Sequence, residues 1–362
     1  MPHRPSICVI GAGLTGLVAA RKLARKGFRV LVVEQHSTAG GTLSSMRIGH
    51  EYLELIPHHL RKNDRNMLSL FKELGLFDDI SWFDSYWYGR AGRKKLGYPE
   101  RGFHTLVSAL TQEITDDGGI IYYGYTALDI SLVCNEDKDT YQITCVLADC
   151  TSVLIDCDDV LFTGSCRNLA HITHSLDLPT DYRDSLMDVT YRANMTLLLV
   201  MKSPLTGCFS RPFNEDHYPF QRLIQHSNLV GERKYGGHIL YLSGSFQTTH
   251  PMWTQSDSEV FKSYFKALQK TNPTLLRSDI KTWRLTRTRY ALPIAFPETS
   301  ISTPLPGLYI CSLAMIGNSS GNSEYRMDSC VALANDIADR IRDNRLTIRP
   351  VSGSAPVDYI CS

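Results

Sequence analysis

Three glycines, Gly11, Gly13 and Gly16, stand in G-x-G-x-x-G spacing, and an acid, Glu34, follows about 20 positions beyond them. The chemistry this set performs is dinucleotide binding. The first glycine permits a tight turn, the second lets backbone approach a pyrophosphate, and the third lets a helix pack closely on a strand. Leu14 and Thr15, between the second and third glycines, join the same binding set. Glu34 is placed to bind a ribose hydroxyl, and its charge repels the 2′-phosphate of NADP. These residues need two strands and a helix to position them, and the sequence supplies all three. Ile7 to Ile10 reads as a buried parallel strand. Leu14, Leu17, Val18, Leu23 and Ala24 form a helical apolar stripe, with Arg21, Lys22, Arg25 and Lys26 expected to face water and Gly27 at a left-handed cap. Phe28 to Val33 is a second buried strand ending in Glu34.

The 362 residues, 43% of them hydrophobic, suffice for a large core and two domains. Lys plus Arg is 38 against Asp plus Glu 37, so bulk charge gives no case for nucleic acid or an anionic membrane as partner. No apolar run approaches the roughly 20 residues of a membrane span. Met1 to Pro5 is too short for a secretion signal, so a cytoplasmic protein is expected. The ten cysteines include no C-x-x-C pair, and Cys145, Cys150, Cys157 and Cys166 are irregularly spaced without clustered histidines. Free buried thiols are expected, with no metal site. Asn194-Met195-Thr196 and Asn318-Ser319-Ser320 match a glycosylation sequon that a cytoplasmic protein leaves unused.

Beyond Glu34 and Gln35 stands a glycine doublet, Gly40-Gly41, followed by Thr42. This E-x5-G-G pattern resembles the FAD-dependent superfamily of flavin amine oxidases, protoporphyrinogen oxidase, phytoene desaturases and UDP-galactopyranose mutase. The resemblance implies FAD as cofactor, with backbone amides of the doublet reaching its diphosphate. It continues through Glu54, His58 and His59, which fill the places of an acid and a histidine pair running along the flavin ring. Gly97-Tyr98-Pro99, Gly102 and Phe103 match a G-Y-P-x-x-G-F sequence, and Thr126, Ala127 and Leu128 take positions whose main chain reads the adenine edge. Asp158 to Gly164 passes back under the cofactor. Leu308 to Cys311, then a helix from Met327, close the site in the family's manner. Ser312 stands where many members have an acid, and Tyr325 matches an aromatic before the helix.

The implied fold is α/β, an interrupted Rossmann-like FAD-binding domain (residues 1–60, 97–165 and 302–345) with a second, mixed-sheet substrate domain (61–96 and 166–301) and a tail at 346–362. Where relatives carry a long helical insert, residues 81–96 have room only for a hairpin, with Trp82, Phe83, Tyr86, Trp87 and Tyr88 as walls and Arg90, Arg93, Lys94 and Lys95 at the turn. That hairpin reads either as an anionic-substrate rim or as a solvated charged turn. Phe220, His226, Asn228, Tyr235, Gly236, Gly237, Tyr241 and Leu242 match strand sequences that floor the family's cavity, which makes Gln225, His226 and Tyr241 substrate-side candidates. Arg287, Arg289 and Tyr290 precede Ala291-Leu292-Pro293, and their guanidinium forks would suit a diphosphate or carboxylate, unless the strand is a solvent-facing edge. His58, His59 and Tyr241 are the candidate proton acceptors. The expected function is removal of a hydride from a small organic substrate, an amine, an alcohol or a carbon pair being desaturated, to flavin N5. The alternatives are redox-neutral flavin chemistry on a nucleotide sugar and a non-catalytic flavin-binding relative.

Overall fold

A computed structural model describes residues 4–134, 139–295, 303–316 and 327–347. The uninterrupted apolar runs of the sequence become a five-stranded parallel sheet, in the order Leu308–Ile310, Asp159–Phe162, Ser6–Ile10, Arg29–Glu34 and Ile120–Tyr123. Strands buried on both faces must be apolar throughout, and Ser6–Ile10 at the centre is buried at every position. One face is covered by the helices Leu14–Arg25, His104–Asp116 and Met327–Thr347. The other is covered by an antiparallel sheet of Thr126–Val133, Thr140–Val146 and Ser152–Cys157, with the short helix Cys166–Ile172.

The helix Leu14–Arg25 buries the expected stripe, and Gly27 closes it at φ +91°. Arg21 departs from expectation, because it is only 5% exposed. Its guanidinium pairs with Glu73 at 2.8 Å and with Glu113, tying this helix to Arg65–Glu73 and His104–Asp116. A side chain as long as arginine reaches such partners only where neighbouring helices bring carboxylates to it, which helical spacing alone does not reveal. Lys22 and Lys26 likewise pair with Asp339 on the last helix. That helix runs to Thr347, further than the apolar pattern ending at Ile341 indicates.

The second sheet is antiparallel, in the order Ser210–Pro212, Arg222–Gln225, His238–Gln247, Thr190–Met201 and Ile280–Ala295. Alternation along its strands gives it two different faces. Met195, Leu197, Leu199, Leu240, Leu242 and Leu285 turn outward beneath the helix Asp257–Thr271. Leu198, Val200, Ile224, Ile239 and Tyr241 turn inward and merge with the core under the parallel sheet. The hairpin Ile80–Tyr86 and Arg93–Pro99 forms in place of any longer insert. It is pinned at both ends. Leu60 and Gly97 exchange two backbone hydrogen bonds of 2.8 Å, and Trp87 bridges to Ser210 at the edge of the second sheet. Asn194 lies within the second sheet and donates to Ser243, so its amide already has a structural role; Asn318 and the tail beyond residue 347 lie outside the described residues. No helix among the described residues is long and apolar enough to cross a membrane.

Candidate functional site

The two glycine motifs meet. Gly13 and Gly40 form a parallel bridge, Gly40 N–H donates to Ala12 O at 2.8 Å, and a Cβ on Gly41 would stand 3.0 Å from Gly13 Cα. Gly11, Gly40 and Gly41 have φ of +108°, +122° and +57°, which side-chain-bearing residues rarely adopt. Gly16 is required by packing, since a Cβ there would lie 2.0 Å from Gly11 O. Gly13 differs from all of these. Its φ of −73° is ordinary, and a Cβ would meet nothing closer than Gly41 Cα at 3.9 Å. The helix that starts at Leu14 has no side-chain cap and no acid in its first turn, so its leading amides are left for a ligand.

Glu34 is 6% exposed and fixed at both oxygens, Oε2 accepting from Ala12 N–H at 2.8 Å and Oε1 from His36 N–H at 2.9 Å. Each oxygen keeps a second acceptor position, which is what a ribose diol needs. Gln35 is exposed beside it and contacts His36. Thr15 uses its hydroxyl on the Cys330 thiol of the last helix. Ala127 and Asp129 pair with Cys145 and Thr144 across a register shift, so Leu128 sits at a bulge with its main chain out of the ladder and its side chain exposed. Gly164 follows Thr163, whose hydroxyl donates to Ile10 O at 2.8 Å, and a Cβ on Gly164 would strike the Phe162 ring. A glycine that neither backbone angle nor packing requires, an uncapped helix start and a buried acid with spare acceptor capacity fit a dinucleotide.

The far end is built differently. Ser312 is 1% exposed, and its hydroxyl lies beside the Cys166 thiol and the Tyr191 phenol. Those internal partners, with the Ala314 N–H at 3.4 Å, occupy it, so it does not substitute for the absent acid. Met327 begins the closing helix and packs against the core beneath the parallel sheet. Tyr325 lies outside the described residues.

Several catalytic and substrate candidates have internal roles instead. Tyr241 is fully buried, and its hydroxyl donates to Glu54 O at 2.6 Å. Burial, with Glu54 and Tyr235 adding charge repulsion, holds its phenol well above the usual range, so it is no proton acceptor. The Glu54 carboxylate turns inward, accepting from Tyr98 O–H and Phe103 N–H, both at 2.6 Å. Burial raises its pKa despite those donors. Gln225 is fully buried and spends its amide on Leu205 N–H, Ser227 Oγ and Ile239 O. His226 is 1% exposed among the rings of Tyr98, Tyr235 and Tyr241, and burial pushes its pKa down to about 3. Arg287 lies on the outer face, where it pairs with Asp257 and donates to Gln255 O at 2.7 Å, anchoring the helix Asp257–Thr271. Arg289 is exposed, and Tyr290 packs edge-on to Tyr191 with centroids 5.4 Å apart. A match to a strand sequence names these residues without saying which way they face, and burial decides that here.

The histidine pair remains beside the cradle. His58 Nε2 lies 2.9 Å from Thr42 O, directly after the doublet, and a bond to a carbonyl fixes that nitrogen as the N–H donor. Burial lowers its pKa to about 4, so the ring is neutral with Nδ1 as its acceptor. His59 packs edge-on to Phe209, centroids 5.9 Å apart. Facing inward from the second sheet is a polar strip that the sequence reading passed over. Thr196 Oγ1 donates to Asn194 Oδ1 at 2.8 Å, Asn194 Nδ2 to Ser243 Oγ at 3.0 Å, and Thr286 and Thr288 pair across from Thr196 and Asn194. The signal was present, because apolar Leu197, Leu199 and Met201 on one face leave the even positions for the other.

Comparisons with known proteins agree with this architecture. Residues 9–74 match the NAD(P)-binding Rossmann-like domain family. A lysine-specific histone demethylase 1 homolog of Arabidopsis thaliana is 50% identical over 44 residues, covering 12% of this chain and 5% of its own length. Putrescine oxidase of Kocuria rosea is 30% identical over 104 residues, covering 29% of this chain and 20% of its own. These curated relatives are thus matched over a small part of their length. Solved structures match almost throughout. A putative protoporphyrinogen oxidase from Exiguobacterium superposes with a TM-score of 0.74 at 12% identity, covering 94% of this chain and 99% of that one. A putrescine oxidase bound to putrescine gives 0.66 at 12% identity, with the same coverage. The chain therefore carries a Rossmann-like dinucleotide-binding domain and shares its overall fold with these protoporphyrinogen oxidase and putrescine oxidase structures.

Proposed function

We propose that this protein is an FAD-dependent oxidoreductase that takes a hydride from a small organic substrate. The observation that carries the reading is the meeting of Gly13 with the Gly40-Gly41 doublet, a close approach that makes room for a diphosphate between a helix start and a loop. Glu34 would hold the adenosine ribose, the main chain around the Leu128 bulge would meet the adenine, and the amides after Gly13 would take the diphosphate. FAD, when bound, supplies the hydride acceptor at N5. What the chain contributes is placement. His58 holds the loop after the doublet through Thr42, and burial keeps its ring neutral, so its Nδ1 accepts a hydrogen bond and is a weak base. The inward strip of Asn194, Thr196 and Ser243 offers hydroxyl and amide contacts to a polar substrate.

The test is direct. Recombinant protein should purify yellow with flavin absorption, and an amine or alcohol substrate should bleach it anaerobically. Turnover that needs prior dithionite reduction and yields no net oxidation would instead assign redox-neutral chemistry. Protein that stays colourless and gains no thermal stability from added FAD would overturn the flavin reading.

A further inference from the structure

A cavity of about 380 Å³ lies between the hairpin and the turn that follows the histidine pair. Its wall carries four cationic side chains, Arg61, Lys62, Lys94 and Lys95, with Asn63 and the indole of Trp87, and no carboxylate. The chain as a whole is nearly neutral at +1, so this is a local concentration of charge. Trp87 gathers more of it. Lys94 Nζ lies 5.0 Å from the ring centroid, and the guanidinium carbons of Arg222 and Arg90 lie at 5.8 and 6.0 Å. Two acids neighbour it without lining it. Asp64 Oδ2 accepts from Arg61 N–H at 2.8 Å, and Asp84, opposite Lys95 in the hairpin, faces Arg93 at 3.9 Å.

The walls are fixed. Trp87 Nε1 donates to Ser85 Oγ at 3.1 Å, its backbone bridges to Ser210, and Leu60 and Gly97 are joined beneath it. Like charges held together on rigid elements repel, and a bound anion relieves the repulsion. We propose that this cavity binds the phosphate or diphosphate group of a small phosphorylated ligand. Three of its four lining cations are lysines, which bind phosphate as compact point charges. The pocket is also close to the chemistry. Trp87 and His59 both pack on Phe209, with centroids 6.0 and 5.9 Å away, so the cavity is one ring removed from the loop beside the dinucleotide cradle. As a handle for the substrate, the site rests on the proposed flavin function; as an anion site, it stands without it.

The experiment is calorimetric titration of the FAD-loaded protein with inorganic pyrophosphate and with ADP, at low and at physiological salt, alongside Lys94→Gln and Lys95→Gln. Saturable binding is expected, weakened by salt and by about tenfold for each substitution, with FAD content and melting temperature unchanged. Binding of ADP but not pyrophosphate would still place a phosphate ester in the pocket if Lys94→Gln abolished it. Binding that neither substitution weakens, or no binding of either anion at millimolar concentration, would overturn the proposal. Should the protein hold no FAD, the same titration is run on the flavin-free chain carrying Gly13→Ala, which blocks the cradle. Lysine-dependent binding there keeps the anion site while the flavin reading falls, and its absence removes both.

Discussion

Replacing Gly13 with alanine separates a glycine kept for the fold from one kept for a ligand. At Gly16 the two demands cannot be told apart, because an added methyl would collide with Gly11 O at 2.0 Å and the chain would fail to pack. At Gly13 the backbone, at φ −73° and ψ 175°, accepts any residue, and the methyl would rest in ordinary contact, 3.9 Å from Gly41 Cα. The stability of the flavin-free protein should therefore change by less than about 1 kcal/mol, because alanine restricts the unfolded chain more than glycine does but is the poorer residue at a helix N-cap. The methyl projects into the gap between the two glycine motifs, where a diphosphate must come close to the amides. Hydrogen bonds to a charged group contribute about 1.5–3 kcal/mol, so losing one such contact weakens binding by roughly ten- to a hundredfold. The assay is FAD titration of flavin-free protein followed by fluorescence quenching, with melting temperature measured on the same samples. Wild-type affinity in Gly13→Ala would refute the placement of the diphosphate. A large drop in the stability of the flavin-free variant would refute the claim that Gly13 is free of packing demands.

Three further outcomes follow from the buried groups. Tyr241→Phe removes one donor from Glu54 O and should cost about 1–3 kcal/mol of stability while leaving the rate of flavin reduction unchanged; a hundredfold slower reduction would restore the phenol to the chemistry. His226 refuses protons that the unfolded chain accepts, so stability is full above the unfolded value near 6.5 and falls as pH drops toward about 3, by up to about 1.4 kcal/mol per pH unit. Melting temperatures between pH 7 and 4.5 should fall less steeply in His226→Leu than in wild type, and parallel curves would contradict the assignment. Arg287→Met should loosen the helix Asp257–Thr271, seen as faster amide exchange there, with flavin content unaffected. A loss of substrate affinity instead would return Arg287 to the cavity.

Why the geometry of the glycine cradle was legible in the sequence and the facing of the second sheet was not has a physical cause. Gly11, Gly13, Gly16, Glu34 and Gly40-Gly41 act through backbone geometry that few sequences satisfy, and they lie in one continuous stretch, so spacing alone carries their positions. The residues of the second sheet act through side chains on strands, where period-two alternation defines two faces but does not label them. Gln225, Tyr241 and Arg287 matched strand sequences, yet the labels came only from packing. The helix Asp257–Thr271 covers Leu197, Leu199, Leu240 and Leu242, which makes that face the outer one and puts Arg287 there beside Leu285. The opposite face then holds Asn194, Thr196 and Ser243, residues too ordinary in type to draw notice. Glu54 shows the same limit at a single residue. An acid beside two histidines in sequence suggests one site, but its carboxylate caps Phe103 N–H and meets Tyr98, while His58 holds the doublet loop on the other side. The strand ends at Glu54 and the chain bends before His58, so alternation does not carry from one to the other, and only the partners of each side chain tell which way it turns.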